Sequence, residues 1–128
     1  MLHPHEDATV RAFIVPRSRS RWLEKLASPK LRTSILGRLS DSKDIDDRFG
    51  TPLPSNADIV AVLRMRGAPS TCFVISENAD IDGREMPLIE AIFEAEVSGL
   101  GTILSCIPGR LAYVRGEALS EGRMVLER

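Results

Sequence analysis

Two apolar runs, TCFVIS at residues 71–76 and GTILSCI at 101–107, flank an amphipathic stretch from Pro87 to Ser98. Runs this short and this uniformly apolar read as strands buried on both faces, and the apolar spacing between them reads as a helix. A strand, a helix and a second strand within about 35 residues predict a crossover joining two parallel neighbours of one sheet. Both strands would then end on the same sheet edge, which is where open α/β sheets hold their ligands.

The rest of the chain is read outward from that unit. TVRAFIV at 9–15 is β-branched and aromatic and stops at Pro16, which predicts a buried strand. Trp22, Leu23, Leu26 and Ala27 repeat at helical spacing, as do Leu31, Ile35, Leu36 and Leu39, so two short helices meet at Ser28-Pro29, with Ser28 as N-cap. The acidic, proline-containing segment 41–56 reads as a surface loop. Ser55 and Asp58 suggest a weak capping box for a third helix, which carries Ile59, Val62, Leu63 and Arg66 on one face and ends at Gly67.

Gly99 reads as the C-cap of the helix that follows Pro87. Pro108-Gly109 reads as a type II turn into an antiparallel last strand, RLAYVRGE at 110–117. The expected architecture is one α/β domain with a four-stranded mixed sheet, in the order strand, three helices, strand, helix, strand, strand. Residues 1–8 are expected to form a flexible tail.

Composition narrows the function classes. Hydrophobic residues make up 43% of 128 and charged residues 27%, as in soluble globular domains. At 5%, aromatics are too scarce for a base-stacking platform. The longest apolar run, Ile59 to Leu63, is far too short to cross a bilayer. Cys72 and Cys106 sit in apolar runs without zinc or redox spacing, and the polar, acidic start lacks the pattern of a secretory signal. These features predict a cytoplasmic protein with reduced thiols and no membrane contact.

The shared strand edge would gather Glu77, Asn78, Asp80, Asp82 and Arg84 from one loop with Cys106 and Arg110 from the next. Asn78, Asp80, Arg84 and Arg110 are the candidate ligand-binding residues. Cys106, Glu77 and Asp82 are the candidate catalytic groups, because a thiolate at a strand end beside Arg110, or a carboxylate pair with one raised pKa, could do nucleophilic or acid/base work.

Several bland readings compete. NADIDG begins like a calcium loop but follows a strand, and it has Asn78 first and Ile89 in twelfth place, so an Asx-type turn through Asp80, Asp82 and Gly83 is favoured. Free cysteines are usually core residues. His3 and His5 read as incidental, and Gly99 and Gly101 follow a helix where a phosphate loop would precede one. No metal and no cofactor is expected.

Charge is unevenly spread. Residues 11–38 hold eight basic residues against Glu24 alone, a net +7, whereas residues 77–96 hold seven acids against Arg84, a net −6. A solvated face is the leading reading for the basic stretch. A homo-oligomer joined head to tail is a second, and nucleic-acid binding is disfavoured at an overall charge of −1. The expected function is a ligand- or partner-binding domain taking a small molecule or a protein at the ends of strands 71–76 and 101–107. The alternatives are a small hydrolase or thiol enzyme built on Cys106, and a nucleic-acid-associated protein using residues 17–38.

Overall fold

The computed structural model describes residues 2–40, 43–116 and 123–128. Helices α1 (Pro4–Phe13), α2 (Arg19–Leu26) and α3 (Arg32–Leu36) come first, followed by strand β1 (Gly50–Pro52) and helix α4 (Ile59–Met65). Then come β2 (Thr71–Ser76), β3 (Glu85–Pro87), α5 (Leu88–Ser98), β4 (Thr102–Ile107), β5 (Leu111–Arg115) and β6 (Arg123–Glu127). The strands form one sheet in the order β1-β6-β5-β4-β2-β3, and every neighbouring pair is antiparallel.

Helices cover both faces, which is why β2 and β4 are mostly apolar and buried along nearly their whole length. Successive side chains of a strand point to opposite faces. Phe73, Ile75 and Ile103 therefore pack under Val10, Phe13, Trp22, Leu26, Ile35 and Leu36 of α1, α2 and α3. Cys72, Val74, Leu104 and Cys106 pack with Leu63 of α4 and Leu88, Ala91 and Ile92 of α5.

The α/β class is as expected, but the sheet has six strands and not four, and no neighbouring pair is parallel. The reason is β3. Phe73 pairs with Glu85 and Thr71 with Pro87, so this three-residue strand folds back along β2 before α5 begins. The crossover through α5 thus starts from β3, and β4 returns beside β2 in the opposite direction, with Phe73 opposite Ser105 and Ser76 opposite Thr102. A strand of three residues carries too little periodicity to be read from sequence. The strands β1 and β6 were likewise unexpected.

The second correction is at the start of the chain. Residues 4–13 are helical, where a tail and then a strand were expected. Pro4 suits a first helical turn, the His3 side chain accepts from the His5 backbone N–H, and the Glu6 side chain reaches back to the His3 backbone N–H at 3.3 Å. Glu6, Thr9, Val10 and Phe13 then share the buried face. Of the expected strand, Ile14 alone makes a bridge, to Ile45.

The two basic helices appear as α2 and α3, the latter shortened to five residues and continued by a 3-10 turn at 37–40. Asp58, not Ser55, caps α4 by accepting from Ala61 N–H at 3.1 Å. Gly99 is the left-handed C-cap of α5 at φ 68°, and Gly109 sits at φ 70° in the turn closed by Arg110 N–H on the Ile107 carbonyl at 2.9 Å. Asp41, Ser42 and Glu117, at the edges of the expected loop and last strand, lie outside the described residues.

Buried Asp44 ties the first helical layer together. It accepts from Arg38 Nε at 2.5 Å, Trp22 Nε1 at 2.9 Å and Ser18 Oγ at 3.3 Å. Arg38 above all, with Trp22 and Ser18 adding to it against the opposing push of burial, holds its carboxyl at about 2. Among the described residues no helix is long and apolar enough to cross a membrane.

Candidate functional site

The loop from β2 to β3 is held by its own polar groups and by a guanidinium from α3. Asn78 Oδ1 accepts from Asp80 N–H at 3.0 Å, so the Asx turn is made by Asn78 and not by the aspartates. Gly83, at φ 77°, donates to the Val74 carbonyl at 2.8 Å and starts the return into β3.

Asp82 faces inward. It accepts from Ser76 N–H at 3.0 Å and takes both Nε (2.7 Å) and Nη2 (3.0 Å) of Arg32, while the same guanidinium also pairs with buried Glu6. Arg32 thereby joins α1, α3 and the loop. A bidentate guanidinium shared by two carboxylates is a structural clamp. Both Asp82 oxygens are committed to it, so proton transfer by Asp82 would require the clamp to open.

A cleft of about 160 Å³ lies beside this clamp, between α3 and the loop, lined in part by Thr33, Leu36, Glu77 and Asp82. Glu77 closes its floor against Gly101, where an added Cβ would stand 2.8 Å from Glu77 Oε1 and 2.7 Å from Leu39 Cβ. Asp80 and Arg84 are exposed, and Arg84 Nη1 donates to the Asp80 carbonyl at 3.3 Å. No group of three or more potential metal ligands forms among the described residues.

Cys106 and Arg110 are elsewhere. Because β4 runs against β2, its C-terminal end lies at the start of β2, roughly 17 Å, the length of a five-residue strand, from the 77–84 loop. The seven candidates therefore do not form one site. Cys106 is 3% exposed and Cys72 is 2%, and burial pushes both thiols up to about 12. Neither presents a thiolate at neutral pH.

Nor does a histidine reach Cys106. His3 and His5 stack on Phe73, on the opposite face of the sheet from the thiols, with ring centroids 4.0 and 5.7 Å away. His5 Nδ1 lies 2.7 Å from Ser105 Oγ, but Ser105 has no exposed surface and its hydroxyl cannot meet a substrate. The contact pins α1 to β4.

Two further features carry chemistry that was not expected from the sequence, although Arg110 itself was a candidate ligand-binding residue. Arg110 lines a second cleft, of about 150 Å³, together with Arg66, Ile107, Leu111, Glu127 and Arg128. The other feature is the outer face of α5, where Ile89, Phe93 and Val97 are 59%, 63% and 67% exposed, with Met65 of neighbouring α4 at 88%. Residues four apart share one side of a helix, so the three make a continuous stripe. The core face of α5 is already complete with Leu88, Ala91, Ile92 and Ala95. This helix is apolar on two sides, a pattern readable in the sequence.

The fold defines the chain as an antiparallel α/β domain with helices on both faces of its sheet. Comparison with known proteins adds no relative: no protein-family model, no curated protein and no solved structure matches the chain.

Proposed function

We propose that this protein is a partner-binding domain whose docking face is the outer surface of α5. The observation that carries this reading is the exposed stripe Ile89, Phe93 and Val97. Large apolar side chains exposed singly are ordinary, but a continuous row on a helix whose core face is already packed is a feature of interaction surfaces. Completing the burial of each would contribute roughly 1 to 2 kcal/mol.

The partner is another protein, bringing an apolar row edged by lysine or arginine. Glu90 and Glu94 follow Ile89 and Phe93 by one position, so they edge the stripe on one side, and both lack an ion pair among the described residues. A second copy laid antiparallel about a two-fold axis at Phe93 would set Glu94 near its own counterpart, which repels. The outer face of α2 and the 3-10 turn before it, with Arg21 and Arg17 exposed, supply charge but no apolar row to cover Phe93.

Fluorescence anisotropy with two helical peptides that share a leucine stripe, one edged by lysines and one by glutamates, tests this. The lysine-edged peptide is expected to bind at least tenfold more tightly, to weaken with salt, and to lose binding to Phe93→Asp. Equal binding of the two peptides, indifference to Phe93→Asp, or a stable dimer of the wild type that Phe93→Asp dissociates would overturn the reading. Circular dichroism of Phe93→Asp should match the wild type, because the side chain it replaces is outside the core.

A further inference from the structure

The cleft around Arg110 is independent of the α5 face. Three guanidinium groups, Arg66, Arg110 and Arg128, line it against one carboxylate, Glu127. They come from three separate places in the chain: the end of α4, the turn between β4 and β5, and the end of β6. Their convergence follows from the antiparallel register, since Leu111 stands opposite Glu127 and Arg128 N–H donates to the Arg110 carbonyl at 2.9 Å.

The three cations are unequally engaged. Arg66 Nη1 is 2.7 Å from Glu127 Oε1. Arg128 donates through Nη1 to the Ala12 carbonyl at 3.2 Å and lies 4.5 Å from the centroid of the Phe49 ring, so it is held in place without being neutralised. Among the described residues no side-chain hydrogen bond or ion pair engages Arg110. The cleft therefore has a net side-chain charge of +2. A free α-carboxylate on Arg128 would cancel one of these charges and still leave an excess.

We propose that this cleft binds a small anion carrying a phosphate group, with Arg110 as the principal contact and Arg66 and Arg128 flanking it. Guanidinium forks match the oxygen geometry of phosphate and bind it bidentately. The apolar floor of Ile107 and Leu111 keeps water from one side of the site, which strengthens the attraction. The closed turn at Pro108-Gly109 fixes the Arg110 backbone before the ligand arrives, so that only its side chain remains to be ordered. At about 150 Å³, half of the roughly 300 Å³ at which pockets for drug-sized ligands begin, the cleft has room for a phosphate ion or the head of a phosphomonoester.

Isothermal titration of the full chain with inorganic phosphate and with glycerol phosphate, against sodium chloride at matched ionic strength, tests the site. Saturable binding of either phosphate compound is expected. Arg110→Gln should weaken it about tenfold, and Arg21→Gln, on the outer face of α2, should leave it unchanged. Tighter binding of the ester than of the ion would identify an esterified source, and the reverse order free phosphate. The proposal is overturned by a response that chloride reproduces, by equal loss in Arg21→Gln, or by full binding in Arg110→Gln. Arg110 is exposed and makes no side-chain contact that folding needs, so the variant is expected to melt with the wild type.

Discussion

Asp44 makes the stability of the first helical layer depend on acid. Its carboxyl, ordinarily near 3.8, is held at about 2 by Arg38 first and by Trp22 and Ser18 after it. At 1.36 kcal/mol per pH unit this difference is worth at most about 2.5 kcal/mol at neutral pH, an upper bound because solvent screens the half-exposed Arg38. The sign follows from the lowered value: the contribution is complete above the ordinary carboxylate range and disappears as pH falls through about 2. By the same linkage relation about half of it, at most about 1.3 kcal/mol, remains at pH 3.

Asp44→Asn keeps an acceptor for the Trp22 indole N–H but removes the charge that Arg38 meets. Urea unfolding of wild type and variant at pH 7 and pH 3 separates this carboxylate from all the others, because only the difference between the two proteins is read. That difference should shrink by up to about 1.2 kcal/mol on going to pH 3. A difference that stays constant over this range would refute the reasoning and show that Asp44 contributes through shape and hydrogen bonding alone.

Two other perturbations probe the parts of the fold nearest the candidate residues. Both cysteines should resist a thiol reagent at pH 8 in the native protein, because at a pKa of about 12 only about one thiol in ten thousand is ionised, and both should react at once in denaturant; rapid labelling of either thiol in the folded state would refute this. Gly101→Ala should cost about 1 to 3 kcal/mol in urea unfolding, since the new methyl would stand 2.7 Å from Leu39 Cβ and 2.8 Å from Glu77 Oε1, and a loss below about 0.5 kcal/mol would mean that the cleft floor gives way freely.

The sequence carried enough to recognise β2, β4, β5, α5 and the turns at Gly99 and Gly109, because each of these is long enough to show a period or rests on a glycine at positive φ. What it could not carry was direction. Whether β4 runs with or against β2 depends on an odd or even number of strands between them, and that parity was decided by Glu85–Pro87, three residues with no periodic signal. The same three residues decided the fate of the candidate site. With β3 present, the loop acids and Arg110 are at opposite ends of the sheet, and each joins residues that no local pattern connects: Arg32 and Glu6 for Asp82, Arg66 and Arg128 for Arg110. The misread start had another cause, because TVRAFIV has strand composition, and only the cap residues ahead of it, His3, Pro4 and Glu6, favour the helix. Helix capping here outweighed β propensity, which is a weak preference for a pleated surface and yields to whichever neighbours can bury the same side chains. The α5 stripe needed no fold at all to be seen, since Ile89, Phe93 and Val97 repeat at four while the core positions repeat beside them. A helix with two apolar faces and one sheet to pack on must leave one face for something else.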